Sequence, residues 1–124
     1  GIISDVGSSW FVPNLIGRAR ANGMGLLGED ISAEQAKNWG LIWDFVEDDD
    51  LLSKSLEIAE RLANGPIDGL KAIVKAHDNA LSTSLNEQLD YERDAQEVLL
   101  DKKEFKEGVS AFVGKRKPNF RDLS

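Results

Sequence analysis

The 124-residue sequence contains no cysteine, one histidine and three prolines. Without cysteine, the chain has no disulfide, no thiolate nucleophile and no cysteine-bound metal, and it is compatible with the reducing cytoplasm. No apolar run approaches the roughly 20 residues of a membrane-spanning helix, and the first residues lack the basic stretch and cleavage site of a signal peptide. We therefore expect a cytoplasmic protein with no metal and no membrane partner.

Charge is distributed unevenly along a sequence that is 41% hydrophobic and 30% charged, a composition that fits a single globular domain. The net charge is −7, but residues 102–124 contain seven basic and three acidic side chains. The acidic remainder argues against nucleic acid as a partner. The basic end is either a solvated tail or a surface that meets a compact anion or an acidic neighbouring subunit.

Hydrophobic periodicity and capping residues predict a chain made mainly of α-helices. A helix over 9–16 has Pro13 at a position that suits its first turn, and a second helix follows over 18–27. Ser32 and Ser84 each begin a capping box, in which a serine and a residue three positions later bond to each other's backbone. Gly40 is the left-handed residue that typically ends a helix.

Other segments predict the remaining elements. Residues 41–46 are apolar and rich in β-formers, so we expect a buried strand or extended segment there. Residues 48–50 are three aspartates that favour a helix start, and Pro66 begins the next helix. Asp101 resembles the cap of a last helix, after which Pro118 breaks the chain.

Asp5 is a candidate general base. It lies in a short loop beside Ile2, Ile3 and Val6, where partial desolvation would raise the pKa of a carboxylate and make it a usable base. The alternative is an N-cap or turn aspartate, because this residue type favours both. His77, the sole histidine, lies beside an aspartate on the charged side of a helix and indicates a surface role.

Four segments resemble the crotonase superfamily, the enoyl-CoA hydratase/isomerase family. They are residues 1–10 (GIISDVGSSW), 26–43 (LLGEDISAEQAKNWGLIW), 107–112 (EGVSAF) and 115–120 (KRKPNF). The second is similar to the family signature with an acidic residue, a Ser-Ala pair and a Gly-Leu end. Within the family, ISDVGSSW and LDYERDAQ are most similar to isomerases of ring epoxides in aerobic phenylacetate breakdown.

The resemblance implies the C-terminal helical part of an α/β crotonase fold, which is a ClpP/crotonase-like ββα spiral. Residues 1–64 would be the end of the spiral core, with the active-site loop, and residues 65–124 a helical trimerisation region. The family's N-terminal half, which supplies the CoA-binding stretch and an oxyanion-hole backbone amide, is not in this sequence. We expect a homo-oligomer, either a trimer or a dimer of trimers.

The resemblance also implies roles for individual residues. Asp5 lies where the family's isomerases place an aspartate and many hydratases a glycine, which favours proton transfer over water addition. The expected substrate-binding residues are Val6, Gly7 and Trp10 for the acyl group, and Phe112 and Lys115 for CoA. A core aromatic and a solvated lysine are the alternatives for the last two. CoA would enter as part of the substrate, and no other cofactor is expected.

The expected activity is that of an acyl-CoA isomerase, with a ring-epoxide substrate preferred. An enoyl-CoA hydratase and a dienoyl-CoA isomerase are the enzymatic alternatives. The non-enzymatic alternative is an inactive helical oligomerisation fragment, and we expect the 124 residues to be inactive alone.

Overall fold

The computed structural model describes residues 1–123, and these residues form α-helices and turns without a β-strand. The helices are α1 (Ser8–Ile16), α2 (Arg18–Leu27), α3 (Ala33–Trp39), α4 (Leu51–Ala63), α5 (Ile67–Ala80), α6 (Leu85–Leu100) and α7 (Lys103–Val113). Short 3₁₀ turns cover Asp48–Asp50 and Arg121–Leu123. The prediction of a mainly helical chain is confirmed.

The chain divides into two compact units, Gly1–Leu51 and Leu52–Ser124. In the first unit α1 packs on α2, and in the second α5 packs on α6, which also contacts α7. The predicted boundary after residue 64 separates functional roles rather than packing units, and it stays a prediction.

The ends of α3 follow from local chemistry, as predicted. The Ser32 hydroxyl accepts a hydrogen bond from the Gln35 backbone N–H at 3.1 Å, and the Ser32 N–H donates to Gln35 Oε1 at 3.1 Å. At the other end Gly40 has a φ of 80°. The Leu41 N–H then reaches back to the carbonyl of Ala36 at 2.9 Å, which closes a Schellman motif.

The same capping box begins α6, but the predicted cap of α7 is wrong. The Ser84 N–H donates to Glu87 Oε2 at 2.8 Å, and the Glu87 N–H donates back to the Ser84 hydroxyl at 3.4 Å. Asp101 ends α6 instead of capping α7, whose N-cap is Lys102 without a side-chain bond. The reason is that the helical turn at the end of α6 includes Asp101, since the Lys102 N–H bonds to the Leu99 carbonyl.

Residues 41–46 form no strand and are not buried, so the prediction of a buried strand there is wrong. Trp43 is 80% exposed. The carboxylate of Asp44 binds Lys37 and accepts the Phe45 N–H at 2.9 Å. A strand needs a neighbouring strand to satisfy its backbone groups, and none is present among residues 1–123.

Pro13 lies in the middle of α1, whereas the sequence suggested its first turn. The helix begins at Ser8, five residues before the proline. The Ser8 N–H bonds to the Asp5 carbonyl in the preceding turn, and the Gly7 carbonyl accepts the first N–H groups of the helix. Proline lacks the N–H that a mid-helix residue normally donates. The short helix continues for three residues and ends at Gly17, whose N–H bonds to the Pro13 carbonyl at 3.0 Å.

Few apolar side chains of the described residues are buried. Of residues 1–123, only Ile16, Ala36 and Ala111 are buried. The apolar face of α4 is uncovered, with Leu52 71% and Leu56 60% exposed. Contiguous apolar surfaces of this kind normally meet other protein. No helix within residues 1–123 is long and apolar enough to cross a membrane.

Candidate active site

Asp5 lies in the turn that precedes α1. Its carbonyl accepts hydrogen bonds from the Ser8 N–H at 2.9 Å and the Ser8 hydroxyl at 2.6 Å, so its backbone is fixed. Its side chain is exposed. The expected desolvation by neighbouring side chains is wrong, because Ile2, Ile3 and Val6 are themselves 97%, 84% and 96% exposed. Burial of this carboxylate would have to come from substrate or from protein outside this unit.

The two residues after Asp5 both have a left-handed backbone. The φ angles are 51° at Val6 and 80° at Gly7, and two successive positive values are typical of a type I′ turn. Glycine adopts this conformation freely, but a residue with a Cβ pays about 1–2 kcal/mol. Such strain persists only where surrounding structure imposes it, and it concentrates at functional sites. The N-cap of α1 is Gly7, so the N-cap alternative for Asp5 does not apply, while the turn alternative does.

Two aromatic side chains, Trp10 and Phe11, lie in the first turn of α1, five and six residues after Asp5. The Gly7 carbonyl accepts the N–H groups of Trp10 and Phe11, both at 2.9 Å. The two rings meet edge to face, with centroids 5.0 Å apart, and both are about half exposed. A Cβ on Gly7 would lie 3.1 Å from the Phe11 ring. Of the predicted acyl-binding residues, Val6 and Gly7 directly follow Asp5 in the turn and Trp10 lies in the first turn of α1, and the side chains of Val6 and Trp10 present exposed apolar surface.

Phe112 and Lys115 lie together at the end of α7. Phe112 is 86% exposed, so within the described residues it is not a core side chain. Lys115 has a φ of 49° and occupies the left-handed position of a Schellman motif. The two bonds of that motif join the Lys115 N–H to the Phe112 carbonyl at 3.2 Å and the Arg116 N–H to the Ala111 carbonyl at 3.0 Å. The expected CoA-binding residues are thus exposed neighbours.

A carboxylate beneath this end of α7 holds the following segment. The Arg116 guanidinium binds both oxygens of Glu107, at 2.6 and 2.8 Å. The Asn119 N–H donates to Glu107 Oε1 at 2.7 Å. These bonds, with Arg116 first and the Asn119 N–H second, lower the pKa of Glu107 from 4.5 to about 2. We did not predict the Glu107–Arg116 ion pair from the sequence. The sequence signal for it is that the two residues fall in the family-like segments 107–112 and 115–120.

An apolar groove of about 450 Å³, which we did not predict from the sequence, lies in the second unit. Phe105, Val109 and Phe112 line it from α7, together with Leu99 and Phe120. The i, i+4, i+7 spacing on α7 is the available sequence signal, because such residues share one helix face. Because Phe112 lines the groove, the apolar surface of the groove reaches the expected CoA-binding residues.

The predicted site residues fall into two groups in different units. Those near α1 belong to Gly1–Leu51, and those near the end of α7 belong to Leu52–Ser124. Within residues 1–123, no group of three or more His, Cys, Asp or Glu side chains could hold a metal ion. His77 is exposed on α5.

The Enoyl-CoA hydratase/isomerase family model matches residues 1–123. The chain belongs to this family. It is 45% identical over 120 residues to 1,2-epoxyphenylacetyl-CoA isomerase of Escherichia coli, an alignment that covers 97% of this chain and 46% of that relative. It is 42% identical to a probable enoyl-CoA hydratase of Rhodobacter capsulatus, over 97% of this chain and 47% of that relative.

Solved structures of the same family also match this chain in fold. An enoyl-CoA hydratase from Polaromonas sp. JS666 matches with a TM-score of 0.89 and 35% identity, over 98% of this chain and 47% of that structure. The chain spans about half the length of the relatives it matches. Its fold is the C-terminal helical part of the crotonase fold.

Proposed function

We propose that the full-length protein containing this chain is an acyl-CoA isomerase in which Asp5 moves a proton on a CoA thioester. The observation that carries the proposal is the turn before α1. It combines an exposed carboxylate, a strained Val6 and the half-exposed ring of Trp10 within a few residues. The 45% identity to an isomerase supports the same assignment.

The proposed chemistry is acid–base catalysis. Two backbone amides from the N-terminal half would polarise the thioester carbonyl, and donors of this kind typically contribute about 3–4 kcal/mol each. The Asp5 carboxylate would take a proton from one carbon of the acyl chain, and return of that proton to another carbon of the resulting enolate would give the isomer. CoA takes part as a piece of the substrate, and the proposal needs no other cofactor.

The preferred acyl group is a ring 1,2-epoxide of phenylacetyl-CoA. Its isomerisation opens the epoxide and expands the ring to an oxepin, without gain or loss of atoms. The identity to the E. coli enzyme of that name supports this choice. The exposed edge-to-face pair of Trp10 and Phe11 also suits an aromatic acyl group, because rings favour such contacts.

Substrate binding would use both ends of the chain. Val6, Gly7 and Trp10 would line the acyl pocket, while Phe112 would pack against the adenine or pantetheine portion of CoA. Lys115 would meet phosphate or adenine across a subunit interface. We propose a trimer or dimer of trimers, in which the exposed apolar helix faces are covered, and we place the protein in the cytoplasm.

The alternative enzymatic function is an enoyl-CoA hydratase or a dienoyl-CoA isomerase. The 42% identity to a probable hydratase favours the first of these. A helical oligomerisation fragment without chemistry is the non-enzymatic alternative, and the uncovered apolar face of α4 favours it. We expect the 124 residues alone to be inactive, because the oxyanion hole would come from the other half.

The test is Asp5→Asn in the full-length protein. The change keeps the side-chain size and removes the base, so turnover of ring-epoxide acyl-CoA is expected to fall about 10²–10⁴-fold. Asp30→Asn is the matched control, since Asp30 is another exposed loop aspartate of the same unit. Retained activity in Asp5→Asn would refute the assignment of the base. Hydration of enoyl-CoA without any isomerisation would favour the hydratase instead.

A further inference from the structure

The backbone of Lys115 is held from both sides. On one side are the two bonds of the Schellman motif to the end of α7. On the other side, Glu107 binds the Arg116 guanidinium at 2.6 and 2.8 Å and the Asn119 N–H at 2.7 Å. One carboxylate of α7 therefore fixes two points of the segment that follows Lys115. A lysine adopts a φ of 49° only where its surroundings impose that conformation.

The Glu107–Arg116 ion pair also determines which basic side chains of this segment are left to bind an anion. Residues 115–117 are three consecutive basic side chains. Arg116 is engaged by Glu107, and it further donates to the Lys117 carbonyl at 3.2 Å and the Ser110 hydroxyl at 3.3 Å. Within the described part of the chain, the ammonium groups of Lys115 and Lys117 form no ion pair or hydrogen bond. A lysine ammonium is a compact point charge that suits phosphate groups.

Resting on the proposed function, we propose that Glu107 and Arg116 are positioning residues that hold Lys115 where it meets the phosphates of acyl-CoA. Neither residue needs to touch the substrate. Arg116 is the cation nearest in sequence to Lys115, but its guanidinium is paired with the carboxylate of Glu107. Loss of the pair would leave the Lys115 charge in place and remove only the constraint on its location.

The test compares two substrates in the full-length protein with Glu107→Gln. One substrate is an acyl-CoA, and the other is the same acyl group on N-acetylcysteamine, which lacks the nucleotide and its phosphates. The KM for acyl-CoA is expected to rise about tenfold, which corresponds to partial loss of a charge-assisted contact. The kcat should stay within about twofold, and the kinetics of the truncated thioester should not change.

Two further variants separate positioning from general damage. Arg116→Lys keeps the charge but cannot form the two-pronged pair, so its KM should lie between wild type and Glu107→Gln. It carries the test if Glu107→Gln does not fold, as judged from thermal melting. Arg93→Gln is the control, because it removes two similarly short ion pairs on α6, with Asp90 at 2.8 Å and Asp94 at 2.7 Å, whose side chains are mostly exposed. An equal loss on both substrates, or a fall in kcat alone, would overturn the proposal.

Calorimetric titration with CoA itself distinguishes this inference from the proposed function. If the wild-type protein binds CoA but isomerises no thioester, the isomerase proposal fails. A tenfold weaker CoA affinity in Glu107→Gln would then still support the positioning role. If isomerase activity is present and CoA affinity is unchanged in that variant, the positioning role is wrong and the isomerase proposal stands. A wild-type protein that does not bind CoA overturns both.

Discussion

Replacing Lys115 with glycine is expected to stabilise the protein while weakening its binding of CoA. The lysine has a φ of 49°, and a side chain with a Cβ in the left-handed region costs about 1–2 kcal/mol. Glycine removes that cost, but it also makes the unfolded chain more flexible, which lowers the unfolding free energy by about 0.4–1 kcal/mol. The Lys115 side chain is exposed, so little packing is lost. From the midpoints of these two ranges, the net gain in unfolding free energy should be about 0.8 kcal/mol.

Lys115→Ala is the matched control, because it removes the same charge and keeps the Cβ. Denaturant unfolding of the full-length variants should show Lys115→Gly to be more stable than both Lys115→Ala and wild type. Both variants should lose CoA affinity about tenfold or more, the value of a charge-assisted hydrogen bond. Equal stability of the two variants would refute the strain at Lys115. Unchanged CoA affinity in both would mean that the lysine is simply solvated.

Two further predictions concern the turn before α1 and the ion pair at the end of α7. Gly7→Ala should destabilise the protein by about 1–2 kcal/mol, because φ is 80° and the new Cβ would lie 3.1 Å from the Phe11 ring. The control for this variant is Gly23→Ala within α2, where the new Cβ would meet no atom within 4 Å apart from its chain neighbours and its own helix backbone, and which should instead stabilise by about 0.5–1 kcal/mol in denaturant unfolding. Folding lowers the pKa of Glu107 from 4.5 to about 2, so its contribution is present above pH 4.5 and lost as pH falls towards 2. The stability difference between wild type and Glu107→Gln, from denaturant series at several pH values, should therefore shrink over that range, and a constant difference would contradict the assigned pKa.

Signals confined to a few neighbouring residues predicted the structure well. The capping boxes at Ser32 and Ser84 and the left-handed Gly40 all appear as expected. Each depends on bonds that span at most a few residues, so the local sequence contains both partners. The family-like segments likewise identified the crotonase relationship that the matches confirm.

Predictions that depended on more distant partners were less successful. Residues 41–46 have the composition of a strand, but the described chain offers no neighbouring strand to pair with them. One local signal failed as well: Asp101 has a favourable residue type for a cap, but α6 runs up to it and the adjacent Lys102 takes the N-cap position of α7. The apolar surroundings of Asp5 in sequence did not bury it, because exposure depends on what packs against the turn in space.

The sequence by itself determined the helical character of this chain, the principal helix ends and the family, because periodicity, caps and motifs are properties of short segments. The tertiary structure decided how the candidate site is arranged. It revealed the strained backbone of Val6 and Lys115 and the bonds that join Glu107 to Arg116 and Asn119 across the end of α7. These contacts link residues nine and twelve positions apart, and the direction in which the chain leaves the helix brings them together.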